Sequence, residues 1–74
     1  MGTMAIPDRT GHTSVGWQPD DVDSVAVAER TFATLAAQRL VPFGRRAPGD
    51  DFEQVRGFDA SIDEIVWVRP LQGG

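Results

Sequence analysis

A chain of 74 residues has room for one domain with a small core, and its apolar fraction of 41% is sufficient for a globular fold. The net charge of −4 argues against nucleic acid or an anionic membrane as a partner. Because the sequence has no cysteine and no apolar run of membrane-spanning length, it offers no disulfide framework and no thiolate metal site, and we expect a cytoplasmic protein.

The N-terminal segment is polar, with proline and glycine within residues 4–12. We interpret residues 1–3 as a cloning remnant and residues 1–12 as a flexible arm, while residues 4–12 also fit one side of a short hairpin. The alternation of Thr13, Val15 and Trp17 then predicts a strand over residues 13–18.

A helix is predicted from about Val22 to Gln38, because apolar residues recur there at steps of three and four. The residues on this apolar face are Val25, Ala28, Phe32, Leu35 and Ala36. Asp20, Asp21 and Asp23 carry negative charge at the helix start, where the free N–H groups and the helix dipole favour it.

Three further strands are predicted after the helix. The first spans residues 40–45, and Pro42 suggests an edge position for it. The second, over residues 52–58, pairs back as a hairpin after a Pro-Gly turn, and the third is the apolar run Ile65 to Val68. The predicted class is α+β in the order β-α-β-β-β, with one helix packed on a small mixed sheet. The single domain covers residues 13–70, and a tail follows at residues 71–74.

The last third of the chain has a distinctive pattern: an acidic start to the strand, alternating apolar residues, a proline and a final diglycine. The residues that form it are Asp63, Glu64, Ile65, Trp67, Pro70, Leu71, Gly73 and Gly74. This pattern resembles the C-terminus of the bacterial sulfur-carrier proteins, namely the small subunit of molybdopterin synthase and the thiamine-pathway carrier, which share the β-grasp fold with ubiquitin. That fold opens with a full hairpin before the helix. Either residues 4–8 supply the missing strand, or the chain is a reduced relative.

The resemblance implies a carrier or protein modifier that is not itself an enzyme. The carboxylate of Gly74 would be adenylated by an E1-like enzyme, and Gly73 would let the thin backbone pass through a narrow channel. The partner would supply ATP and Mg, and the chain would bind no cofactor of its own. The product would be a thiocarboxylate for a sulfur-transfer enzyme, or an isopeptide bond to a target protein.

The partner-binding surface is expected at the end of the last strand and in the segment after it. Its residues are Val66, Trp67, Val68, Arg69, Pro70 and Leu71. Since both parities of the strand are apolar, an apolar patch is expected beside the tail whichever side faces the helix. Such a patch fits partner binding or self-association.

Other sites are poorly supported by the sequence. His12 is the only histidine and lacks neighbouring ligands, so no metal or acid–base site is predicted. Arg45 and Arg46 read as a solvated turn that is able to meet an acidic partner surface. The alternative function is a small structural or accessory interaction module, encoded by a phage or an operon, in which the Gly-Gly end is incidental.

Overall fold

One helix lies across a five-stranded mixed sheet in this computed structural model, which describes residues 1–8 and 11–70 apart from the side chains of Asp8 and His12. The strands are β1 (Gly2–Asp8), β2 (Gly11–Trp17), β3 (Val41–Arg45), β4 (Glu53–Gln54) and β5 (Glu64–Val68), and the helix is α1 (Val22–Ala37). The order across the sheet is β2-β1-β5-β3-β4. The predicted α+β class with one packed helix is confirmed.

Strand β1 corrects the prediction of a flexible arm at residues 2–8 and agrees with the alternative in which residues 4–8 supply a strand. The predicted order β-α-β-β-β lacked this strand. It pairs antiparallel with β2 along its whole length and parallel with β5 over residues 3–5. Residues 1–3 were set aside as a cloning remnant, yet the Thr3 N–H donates to the Asp63 carbonyl at 3.0 Å and Gly2 lies beside Trp17. Met4 is fully buried. The N-terminal segment is therefore part of the sheet and of the core.

The helix agrees with its prediction in position, and its N-cap is one of the three aspartates predicted at its start. Asp21 is the N-cap, and its carboxylate accepts from the N–H groups of Asp23 and Ser24. Ala28, Phe32 and Leu35 are buried against the sheet, and Val25 packs partly against them. Ala36, which the periodicity placed on the same face, is exposed because it lies at the end of the helix.

Strand β3 is an interior strand, which corrects the edge position inferred from Pro42. It lies between β5 and β4, and the Pro42 carbonyl accepts from the Val55 N–H on the β4 side at 3.0 Å. The N–H and C=O of a residue in an antiparallel strand point to the same side, so the missing donor of Pro42 also faces β4. Because this nitrogen faces β4, the missing donor costs no bond to β5.

Strand β5 occupies the middle of the sheet, with β1 on one side and β3 on the other. Its alternate residues Ile65 and Trp67 are 0% and 2% exposed and face the helix, while Val68 is 38% exposed. The core groups these two residues with Met4, Trp17, Ala28, Phe32, Leu35 and Ile62. Only one face of β5 is fully buried, whereas its unbroken apolar run is the composition of a strand with two covered faces.

Candidate functional site

The predicted reactive end of the chain follows directly from the central strand. Arg69 and Pro70 come straight after β5 and are exposed. Leu71, Gly73 and Gly74 lie outside the described residues, so their predicted roles stay predictions. The position of β5 means that the last described residues leave the sheet between β1 and β3 rather than at an edge.

An apolar surface covers the side of the sheet away from the helix, and we call it the open face. Its members are Ala5, Val41, Phe43, Val66 and Val68. The strand register aligns Ala5, Val66 and Phe43 in one row and Val68 beside Val41 in the next. None of the five belongs to the core cluster or packs against it. An apolar surface of the expected kind therefore lies beside the end of β5, and its β1 and β3 members were not foreseen.

Trp67 does not belong to this surface, which corrects its predicted role in partner binding. Its indole N–H points to the Met4 Sδ at 3.3 Å, and its ring meets Phe32 edge-on at 4.8 Å between centroids. With 2% of its surface exposed, the side chain cannot reach a partner while the domain is folded. Val66 and Val68 have the opposite parity and keep the predicted place at the surface.

An ion pair and an aromatic ring border the open face at the β3–β5 end. Arg45 donates from Nε and from an NH2 nitrogen to the same oxygen of Glu64, at 3.1 and 2.8 Å. Its guanidinium carbon also lies 4.8 Å from the centroid of Phe52, a ring that is 40% exposed. Arg45 was interpreted as part of a solvated turn, whereas the pairing of β3 with β5 brings it opposite Glu64. This cross-strand partner was not visible in the sequence.

A shallow groove of about 280 Å³ lies where the chain leaves the sheet, and we call it the tail-base groove. It is lined by Gln38, Arg39, Leu40, Arg69 and Pro70. Arg39 has a φ of 68°, and the hydrogen bonds of Arg39 to Ala36 and of Leu40 to Leu35 close the helix end in the arrangement that usually has glycine. Two arginines thus flank the start of the tail in a chain that is acidic overall.

The larger cavity, of about 530 Å³, lies between the β3–β4 turn and residues 55–59. Its charges are mixed, since it is lined by Arg45, Arg46 and Arg56 together with Asp50, Asp51, Glu53 and Asp59. Arg46 is already paired with Asp59 at 3.1 Å. Such mutual neutralisation gives the cavity no preference for a strongly anionic or cationic ligand.

Asp59 shapes the turn that leads into β5. The backbone N–H of Ser61, its hydroxyl and Arg46 all donate to this carboxylate and lower the pKa of Asp59 from 3.8 to about 2. These three donors stabilise the ionised carboxylate. Asp59 therefore acts as a turn residue rather than an acid–base group.

No cluster of three or more histidine, cysteine or acidic side chains suited to a metal occurs within the described part of the chain. The side chain of His12 is outside that part, so the expectation that it forms no metal or acid–base site stays a prediction. Within the same residues, no helix has the length and apolar character needed to cross a membrane.

Comparison with known protein families, with curated proteins and with solved structures finds no match for this chain.

Proposed function

We propose that the chain has a β-grasp fold and acts as a ubiquitin-like carrier or modifier, with Gly74 adenylated by an E1-like enzyme. The observation that carries this proposal is the β1–β2 hairpin ahead of the helix. The resemblance of the last strand called for such a hairpin. The presence of this hairpin, together with the central position of β5, supports the β-grasp fold that the resemblance of the last strand and the Gly-Gly tail implies.

The proposed chemistry needs only a free carboxylate at Gly74. One of its oxygens attacks the α-phosphorus of ATP, pyrophosphate leaves, and a mixed anhydride with AMP is formed. A sulfur nucleophile or an amine then attacks the carbonyl carbon and AMP leaves. Mg–ATP and the catalytic side chains belong to the partner, so the chain itself is a substrate rather than an enzyme. A cytoplasmic location, where ATP is available, forms part of this proposal.

The open face and the tail-base groove are the surfaces through which the chain would contact the activating enzyme. Val66 and Val68 supply apolar area at the end of β5, and Arg69 and Pro70 follow directly in the chain. Arg39 beside Arg69 would favour an acidic partner surface at the channel mouth. Pro70 restricts the backbone ahead of the tail and so reduces the entropy lost on docking.

The proposal is tested by ATP–pyrophosphate exchange with the E1-like enzyme whose gene lies nearest in the same genome. We expect exchange that depends on this protein, that is lost when Gly73-Gly74 is deleted, and that is lost again when one alanine is added after Gly74. Both changes leave the described residues untouched, which circular dichroism of each variant verifies. Exchange that persists in either variant would contradict activation at Gly74.

The open face also supports the second candidate, an accessory interaction module, because an apolar sheet face binds partners without any tail chemistry. The two functions separate in one comparison. A module binds its partner equally well with or without Gly73-Gly74 and needs no ATP, whereas a carrier loses its reaction when the diglycine is removed.

A further inference from the structure

The two edges of the sheet differ in how they are protected from pairing with another chain. Strand β4 has only two residues, Glu53 and Gln54, and one of them is charged. Strand β2 has seven residues and no proline, aspartate, glutamate, lysine or arginine. Short and charged edges are the usual protection against edge-to-edge pairing, and β2 has neither.

The register shows which backbone groups of β2 face outward. Thr3 donates towards β5, so Thr3 and Gly16 form a pair without mutual hydrogen bonds, and the N–H and C=O of Gly16 point away from β1. By alternation the same holds for Ser14 and His12. Ser14 and Gly16 are exposed, and no described residue hydrogen-bonds to their backbone on the outer side. Three residues at spacing two thus present free donors and acceptors.

We propose that β2 is a self-pairing edge, at which two copies of this chain join antiparallel and in register at Ser14. Ser14 of each copy then exchanges two hydrogen bonds with Ser14 of the other, and Gly16 of each faces His12 of the other. The two five-stranded sheets become one continuous sheet, with both helices on one side and both open faces on the other. This inference is independent of the proposed carrier function.

A second copy is the occupant that the composition of this edge favours. The outward groups are centred on Ser14, so an antiparallel copy matches every donor with an acceptor. The small side chains of Ser14 and Gly16 let the strands approach on the open face. The acidic residues Asp20 and Asp21 of the two copies lie beyond opposite ends of the paired strands. At ~3.3 Å per residue the six residues between the two Trp17 positions span about 20 Å, which exceeds the ~8 Å screening length at physiological salt.

Sedimentation velocity over a wide range of protein concentration tests this proposal. We expect a weak monomer–dimer equilibrium in the wild-type protein, because pairing of one strand buries little area. Ser14→Pro removes an outward N–H from each copy without breaking a β1–β2 bond, and should raise the dissociation constant by roughly tenfold or more. Gln54→Pro is the matched control at the other edge, where the Gln54 N–H also points outward by alternation from Val55, and it should leave the equilibrium unchanged.

Ser14→Lys provides a second variant if proline disturbs the strand. It places two lysines directly opposite each other at the interface, with β-carbons about 5 Å apart, so dimers should be lost at low salt and partly recovered at high salt. Amide exchange of Ser14 and Gly16 should slow as wild-type concentration rises. A wild-type protein that stays monomeric up to millimolar concentration overturns the proposal. A dimer of undiminished affinity in both Ser14 variants overturns it as well.

Discussion

At the residue scale, Gly2 occupies a position with no room for a side chain. A β-carbon built there would lie 2.1 Å from the Trp17 indole, far inside van der Waals contact. The indole is fixed in turn, because its N–H donates to the Ala60 carbonyl at 3.1 Å and its ring meets Phe58 edge-on. Trp17 therefore packs on Gly2 of β1 and, at the same time, bonds to the turn before β5.

We therefore predict that Gly2→Ala lowers the free energy of unfolding by about 1–3 kcal/mol, as overpacking of a core does. The matched control is Gly16→Ala in the paired strand, where the nearest atom to a new β-carbon is 3.6 Å away and the change should stay within about 0.5 kcal/mol. Urea denaturation of both variants measures the difference. Equal stabilities would contradict the close packing of Gly2 on Trp17.

The second prediction at this scale concerns Asp59. Its pKa is lowered to about 2 in the folded protein, first by the Ser61 N–H and then by the Ser61 hydroxyl and Arg46. A folded pKa below the unfolded value of 3.8 stabilises the protein above pH 3.8, and this contribution is lost as the pH falls towards 2. Since the side chain is 46% exposed, water screening limits the contribution to about 0.5–1 kcal/mol.

Asp59→Asn should thus be less stable than the wild type at pH 7, and the gap should close between about pH 4 and pH 2. Asp51→Asn, the same change at an exposed position, serves as the control for loss of one negative charge. Denaturation curves across this pH range give the result. A gap that does not change with pH would show that Asp59 acts by packing alone.

At the element scale, β5 divides its residues between the core and the surface. We predict that Trp67→Ala lowers the free energy of unfolding by about 3–5 kcal/mol, because it empties a site against Phe32 and Met4. Val68→Ala, one residue later in the same strand, should cost less than about 1 kcal/mol since that side chain is 38% exposed. Thermal and urea unfolding of the pair distinguish the two roles. A stability loss for Val68→Ala as large as that for Trp67→Ala would contradict the assignment of Trp67 to the core and Val68 to the surface.

The elements also show what sequence reasoning is able to recover. The helix was predictable because its signals are local: a cap at Asp21 and apolar residues at helical spacing. Strand β1 was predicted only as an alternative to a flexible arm, over residues 4–8, because Met4 and Ile6 are its only large core-facing residues and Pro7 argues against a strand. The nitrogen of Pro7 lies on the side away from β2, by alternation from Thr3, so proline breaks no bond of the hairpin. The pairing that holds β1 in place is with residues far away in the sequence.

In the candidate site, too, features with a local sequence signal were predictable and features that depend on distant strand pairing were not. Val66 and Val68 were predicted at the surface, but so was Trp67. An unbroken apolar strand does not show which of its alternate residues face the core until the position of the helix is known. The ion pair of Arg45 with Glu64 depends on the β3–β5 register, which no local pattern specifies. The role of the tail stays a prediction from the sequence alone, since its proposed chemistry belongs to backbone atoms.

At the scale of the whole molecule, the open face lies beside the end of β5, from which Arg69 and Pro70 continue. The proposed activation requires both this face and the Gly-Gly end. We predict that Val68→Asp lowers kcat/KM for adenylation roughly tenfold or more, because it places a charge within an apolar contact next to Arg69 and Pro70. Val27→Asp, an exposed valine on the helix, should leave kcat/KM unchanged and controls for added charge. Initial rates of pyrophosphate release report both values. Equal kcat/KM for the two variants would remove the open face from the binding surface.

The carboxylate of Gly74 as the reacting group is the central claim, and intact mass tests it most directly. The protein is incubated with Mg–ATP, the E1-like enzyme and a sulfur donor, and the product is then fragmented. The account predicts an adenylate, a thiocarboxylate or a conjugate whose added mass lies on Gly74, and none in the variant without Gly73-Gly74. An unchanged mass with an enzyme that is active on its own carrier, or a modification on any other residue, would contradict it.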